Sequence, residues 1–261
     1  PNSMGFDLSD PLVLAELQAV RATMHDWDFG DLGDIQTVIN PATGARIGQV
    51  RYLSPEQVAH KVEAVTPWHA SPSTRAQVLR RAADIYESEA GEFFALLTHE
   101  AGKTLPDCIG ELREAVDFLR YYAAEAERQK FSGDGIFTCI SPWNFPLAIF
   151  TGQIAAALAA GNGVLAKPAE STSIIAHVAV DLLRQAGVPA DCLQLVPGEG
   201  AVVGHVLCSA PSISGVCFTG STTTAQRINR VMADNLLPQV PLIAETGGPN
   251  VMIMDSPALL K

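Results

Sequence analysis

Four short segments carry side chains that could do chemistry, and each follows or ends a short apolar run. Glu245-Thr246-Gly247-Gly248 places a carboxylate just past Leu242–Ala244, with glycines that let a ligand approach the backbone. That is the setting of a candidate general base, although a lone Glu after a strand is ordinarily solvated surface. Ser141-Pro142-Trp143-Asn144-Phe145-Pro146 fixes the backbone around Asn144 with two prolines, so its amide could donate to a developing oxyanion; a structural loop with a capping Asn reads as well. Lys167-Pro168-Ala169-Glu170 sets a cation and an anion three residues apart, able to grip a ribose diol from both sides or to form a surface ion pair. Phe218-Thr219-Gly220-Ser221 ends a strand and starts a helix whose free N–H groups suit a phosphate, or is a plain hydroxyl cap.

Other motifs fail on inspection. Gly198-Glu199-Gly200-Ala201-Val202-Val203-Gly204 approaches a dinucleotide fingerprint, but its third glycine is one residue late and no acidic ribose ligand follows at the expected distance. Gly102-Lys103-Thr104 ends like a phosphate loop, yet Leu97 stands where that motif needs glycine. The histidines are scattered without metal spacing, so no metal site is expected, and no serine sits in a G-x-S-x-G elbow.

The elements that must position these segments are legible. From residue 136, apolar runs at 136–140, 163–166, 193–196, 215–218, 242–244 and 251–254 alternate with helical stretches at 146–160, 172–186, 201–208 and 221–234. Strands without polar alternation are buried on both faces, and β-α alternation at this spacing implies a parallel sheet with crossover helices. The fold class is therefore α/β, a Rossmann-like sheet preceded by a mainly helical N-terminal segment. There, Ser9-Asp10-Pro11 and Ser54-Pro55-Glu56-Gln57 read as helix starts, 75–98 and 106–129 as long amphipathic helices, and 37–50 as two short strands around a turn. The division expected is 1–135 for the helical part, 136–245 for the nucleotide-binding core and 246–261 for the start of a further domain. Asp255-Ser256-Pro257 has the form of a helix start, so the chain is expected to continue past Lys261.

Composition narrows the function classes. Of 261 residues 48% are apolar and 17% charged, the signature of a compact globular chain, and the net charge of −11 with no basic cluster argues against a nucleic-acid partner. The longest apolar stretch, 145–160, falls short of the roughly 20 residues that span a bilayer. Five cysteines without C-x-x-C spacing read as reduced thiols, which places the protein in the cytoplasm.

Taken in order, Pro142-Trp143-Asn144-Phe145-Pro146, Lys167-Pro168-Ala169-Glu170, Pro197-Gly198-Glu199-Gly200, Phe218-Thr219-Gly220-Ser221 and Glu245-Thr246-Gly247-Gly248 resemble the aldehyde dehydrogenase superfamily. The stretch 140–161, with Glu100-Ala101-Gly102-Lys103-Thr104, Arg113–Leu119 and Pro241–Gly248, is more closely similar to the pyrroline-5-carboxylate dehydrogenase part of bacterial bifunctional proline-utilisation proteins.

That resemblance implies NAD-dependent oxidation of L-glutamate γ-semialdehyde to glutamate in proline catabolism. Asn144 would hold the oxyanion and Glu245 would activate water. Lys167 and Glu170 would hold the adenosine ribose, Ser221 at Gly220 the pyrophosphate, and Ile140, Ser141, Pro142 and Trp143 would line the cleft. Gly200, Ala201 and Thr224 would lie near the adenine, and Gly247 would leave room beside Glu245. It also implies a nucleophilic cysteine in a G-Q-x-C setting past Lys261; none of Cys108, Cys139, Cys192, Cys208 and Cys217 matches it. FAD would be used only if a proline dehydrogenase part precedes residue 1. Residues 129–136 are shorter than the family's usual start of an oligomerisation hairpin, which bears on the homo-oligomer implied for the intact protein. An NAD-binding fragment without activity, or an aldehyde dehydrogenase of other specificity, are the alternatives. On the first alternative and on the main reading alike, this chain alone is expected to be inactive.

Overall fold

The computed structural model describes residues 2–248 and residue 251. Its organising element is a five-stranded parallel sheet of β4 (Ile136–Ile140), β5 (Gly163–Lys167), β6 (Leu193–Leu195), β7 (Ile213–Gly220) and β8 (Leu242–Thr246), in the order β6-β5-β4-β7-β8. Four crossover helices, α6 (Ala148–Ala160), α7 (Ser173–Ala186), α8 (Gly200–Ser209) and α9 (Thr222–Asn235), join the strands. The expected strand at 251–254 and the helix start at 255–257 lie outside the described residues, apart from Val251.

Both faces of the central strands are covered, and period-two alternation sorts their side chains between two cores. On one side Phe137, Cys139, Val164 and Ala166 pack with α6, α7 and the helices α3 (Pro72–Ser88) and α5 (Leu105–Gln129). On the other, Ile136, Ile140, Leu165 and Val216 pack with α2 (Pro55–Ala64), α8 and α9. The polar alternation missing from the sequence has become an alternation between two apolar layers.

The N-terminal helices start where capping chemistry dictates. Asp10 caps α1 (Pro11–Arg21), Ser54 and Gln57 form a capping box on α2, and Ser71 accepts from Thr74 N–H at the head of α3, each with proline in the first turn. The expected single helix over 75–98 is two, α3 and α4 (Ala90–His99), broken at Glu89. Val20 of α1 presses so closely on Gly91 that a Cβ there would meet it at 2.5 Å. The break lets α4 pack on α1, and the apolar period runs through it unchanged, which hid it. The strand pair expected within 37–50 is β2 (Asp34–Ile39) and β3 (Arg46–Tyr52), antiparallel, and a further short strand, β1 (Trp27–Phe29), pairs parallel with β3. This small sheet packs against α7, where Phe29 stacks on His177. Residues 131–135 join α5 to β4 without a strand.

One buried cation ties the carboxyl end of α6 in place. Arg75, 2% exposed, donates to the carbonyls of Ala159 at 3.1 Å, Phe131 at 2.6 Å and Ala70, with no carboxylate partner among the described residues. The partial negative charge of a helix carboxyl terminus, here opposite Gly161 at φ +101°, takes that role. Arg75→Met is expected to strand several buried carbonyls and lower stability by about 3 kcal/mol, measured as a shift in urea midpoint at constant slope.

Candidate active site

The sheet order fixes where a ligand can sit. From β4 the chain moves outward through β5 to β6, then returns to the other side of β4 for β7 and β8. The loops leaving the carboxyl ends of β4 and β7 therefore part in opposite directions, which opens a crevice between them. A cleft of about 1120 Å³ lies there, lined by the loops that follow β4, β5, β7 and β8 and by the facing sides of α8 and α9.

Every candidate site residue from the sequence lines this one cleft. From the β4 end come Ile140, Ser141, Pro142, Trp143 and Asn144; from the β5 end, Lys167 and Glu170; from the head of α8, Gly200 and Ala201. The β7 end supplies Gly220, Ser221 and Thr224, and the β8 end supplies Glu245 and Gly247. Asn144 and Glu245 are both exposed to solvent on its walls, and Trp143 is 64% exposed beside Asn144.

At the β5 end the ion pair is asymmetric. The Lys167 side chain is buried, with its ammonium 3.7 Å from Glu170 and donating to Pro168 O at 2.9 Å. Burial pulls the Lys167 pKa down, and the Glu170 charge only partly restores it. Burial alone would push Glu170 up, but Lys167 and the Gly200 N–H, which donates to the Glu170 carboxylate, hold it below the usual carboxylate range. A Cβ at Gly200 would stand 3.2 Å from that carboxylate, so the glycine keeps this contact short. The Tyr52 hydroxyl donates to Glu170 O at 3.0 Å, and Leu53 N–H to Pro197 O at 3.0 Å, so the end of β3 braces the loops after β5 and β6. Burial raises the Tyr52 pKa to about 12, which keeps it a donor.

At the β7 end, Ser221 caps α9, accepting from Thr224 N–H at 3.1 Å. The first N–H groups of α9 have no partner inside the helix, so the hydroxyl cap and an anion site are compatible. Gln153 of α6 donates to Thr219 Oγ1 at 3.1 Å, a link from α6 to the end of β7 beside the crevice.

The cysteines offer no thiolate to the cleft. Cys208 lines it, but burial pushes its thiol up to about 12. Cys139 and Cys217 sit side by side on β4 and β7; their contact and burial raise Cys139, and the Cys139 contact lowers Cys217. All five are free. Among the described residues no group of three or more His, Cys, Asp or Glu could hold a metal ion, and no helix is long and apolar enough to cross a membrane.

Residues 30–260 match the aldehyde dehydrogenase family. The chain belongs to that family. It is 47% identical to the bifunctional protein PutA of Klebsiella aerogenes, over 99% of this chain and 21% of that protein. It is 36% identical to the 1-pyrroline-5-carboxylate dehydrogenase of Anoxybacillus flavithermus, over 85% of this chain and 48% of the relative. A crystal structure of a proline utilization A variant from Bradyrhizobium japonicum superposes with a TM-score of 0.79 at 40% identity, over 95% of this chain and 25% of that one. The chain thus spans 21% of the length of the first of these relatives.

In this aldehyde dehydrogenase chain the cleft holds more than the motifs announced. His205 and Cys208 of α8 and Arg227, Ile228 and Val231 of α9 also line it. Ala201 and His205, like Thr224 and Ile228, stand four apart on their helices, so the spacing was a readable signal of one helix face. Nothing local marked that face as lining a cleft instead of a core. Ser221→Ala is expected to remove the α9 cap and cost about 1 kcal/mol in a denaturant titration.

Proposed function

We propose that this chain is the cofactor-binding portion of an NAD-dependent aldehyde dehydrogenase that oxidises L-glutamate γ-semialdehyde to glutamate in proline catabolism. The convergence of the motif-bearing strand ends on one crevice carries the reading. The residues fit a dinucleotide. A volume of about 1120 Å³ exceeds the roughly 300–1,000 Å³ of an ordinary small-molecule pocket. One end offers the Lys167–Glu170 pair for a ribose, and α9 offers its amino terminus for a pyrophosphate. Glu170 favours NAD over its 2′-phosphorylated form, because its charge would repel the extra phosphate.

When bound, the nicotinamide would accept a hydride from the substrate carbon. Asn144 would donate its amide to the oxyanion formed when a thiolate adds to the aldehyde. Glu245 would take a proton from water, whose oxygen completes the carboxylic acid. The thiolate and the groups that recognise the substrate carboxylate are assigned to other parts of the longer protein, as the length of the relatives supports. The same length makes room for an FAD-dependent proline dehydrogenase part. Five unpaired cysteines support a reducing, cytoplasmic setting.

In the intact protein, Lys167→Ala is expected to raise the Kd for NAD⁺ about tenfold by calorimetry, and an unchanged Kd would remove Lys167 from the site. Asn144→Ala should cost about 10²-fold or more in kcat. The 261-residue chain alone should give no steady NADH production from glutamate semialdehyde; turnover by the purified chain would overturn the division of labour proposed here.

A further inference from the structure

The turn that closes α4 lines no part of the cleft, yet both walls of the cleft are anchored to it. Glu100 N–H donates to Leu96 O at 2.8 Å and Lys103 N–H to Leu97 O at 3.0 Å, around Gly102 at φ +68°. This is the pattern of a glycine-terminated helix, and it aims the side chains of Glu100 and Lys103 in two directions.

Glu100, 3% exposed, accepts from Ile174 N–H at 2.7 Å and Ile175 N–H at 2.9 Å, capping α7 from across the chain. The first residue of α7, Ser173, donates in turn to Ala169 O at 3.1 Å and Glu170 O at 3.3 Å. Lys103 pairs with Glu111 at 2.8 Å, and the other oxygen of Glu111, a residue 2% exposed, accepts from Leu147 N–H at 3.2 Å and Ala148 N–H at 2.8 Å. The Lys103 ammonium also lies over the Phe145 ring, 4.4 Å from its centre, next to Asn144.

We propose that Glu100 and Lys103 are positioning residues working from one turn, Glu100 setting the Lys167–Glu170 loop and Lys103, through Glu111, setting the loop that carries Asn144. The inference rests on the cofactor and oxyanion roles proposed above and extends them. Two buried carboxylates satisfy the orphan N–H groups of two helices whose preceding loops form the opposite ends of the site. One rigid turn therefore fixes the distance between the ribose grip and the oxyanion donor, and displacement by an ångström at either end is costly in rate or affinity.

The test is a split between binding and turnover in the intact protein. Glu100→Gln, whose amide nitrogen would face a backbone N–H, should raise the Kd for NAD⁺ about tenfold and leave kcat at saturating NAD⁺ within about twofold. Lys103→Met should do the reverse, lowering kcat about tenfold with the Kd for NAD⁺ unchanged, and Lys103→Arg should restore part of the rate. Glu100→Asp reads the same direction should Glu100→Gln fail to fold. Variants that lower only the melting temperature, or that shift Kd and kcat together, overturn the proposal. Lys167→Ala serves as the control. If it leaves the Kd unchanged, the cofactor reading falls and this inference with it; if it responds and Glu100 variants do not, the inference alone falls.

Discussion

The central strand β4 takes its neighbours from two different stretches of chain, and much of the rest depends on that. Hydrogen-bonded to β5 on one side and to β7 on the other, it forces the connection after β6 to cross back over the sheet. Parallel pairing with crossover helices leaves no other way to cover both faces of buried strands. Two consequences meet at the carboxyl edge. The loops separate and open a crevice, and the helices α8 and α9 present amino termini there, where positive partial charge is concentrated. Asn144, Lys167, Ser221 and Glu245 are distant in sequence and become neighbours of one cleft only because the sheet order makes them so.

The small sheet β1–β3, whose strands are exposed along part of their length, contributes to the same edge. It donates from Tyr52 and Leu53 to the loops after β5 and β6, and it rests on α7 through Phe29 and His177. The site is thus held from behind by elements that line no part of it. The buried groups doing this work, Arg75, Glu100 and Glu111, each bind backbone groups of an element far along the chain.

Those long-range contacts explain what the sequence could and could not disclose. The strand at 136–140 was readable to the residue, because a five-residue, largely apolar run with β-branched and aromatic side chains beside a glycine-rich turn reads as a buried strand. The helix starts at Asp10 and Ser54 were readable because capping is local chemistry. The break at Glu89 was not, since the apolar period runs through it and the close contact of Val20 with Gly91 that accompanies it lies on another helix. Nor was β1, three residues long and defined only by its partner β3. Of the site, the candidate residues fell together in one cleft because each lay just past a strand or at a helix start. The cleft-lining faces of α8 and α9 and the braces at Glu100 and Glu111 went unseen, for their meaning lies in a partner on another element.

β8 differs from its neighbours in one respect. Among the described residues, β4 and β5 are buried nearly throughout, whereas β8 is exposed along most of its length and pairs with β7 alone. The amides of the sheet interior can exchange with solvent only through large-scale opening, while those of β8 need little more than local fraying. The cleft therefore spans a gradient of mechanical firmness. Its ribose end rests on strands buried on both faces, and Glu245 on a strand whose outer edge is open among the described residues.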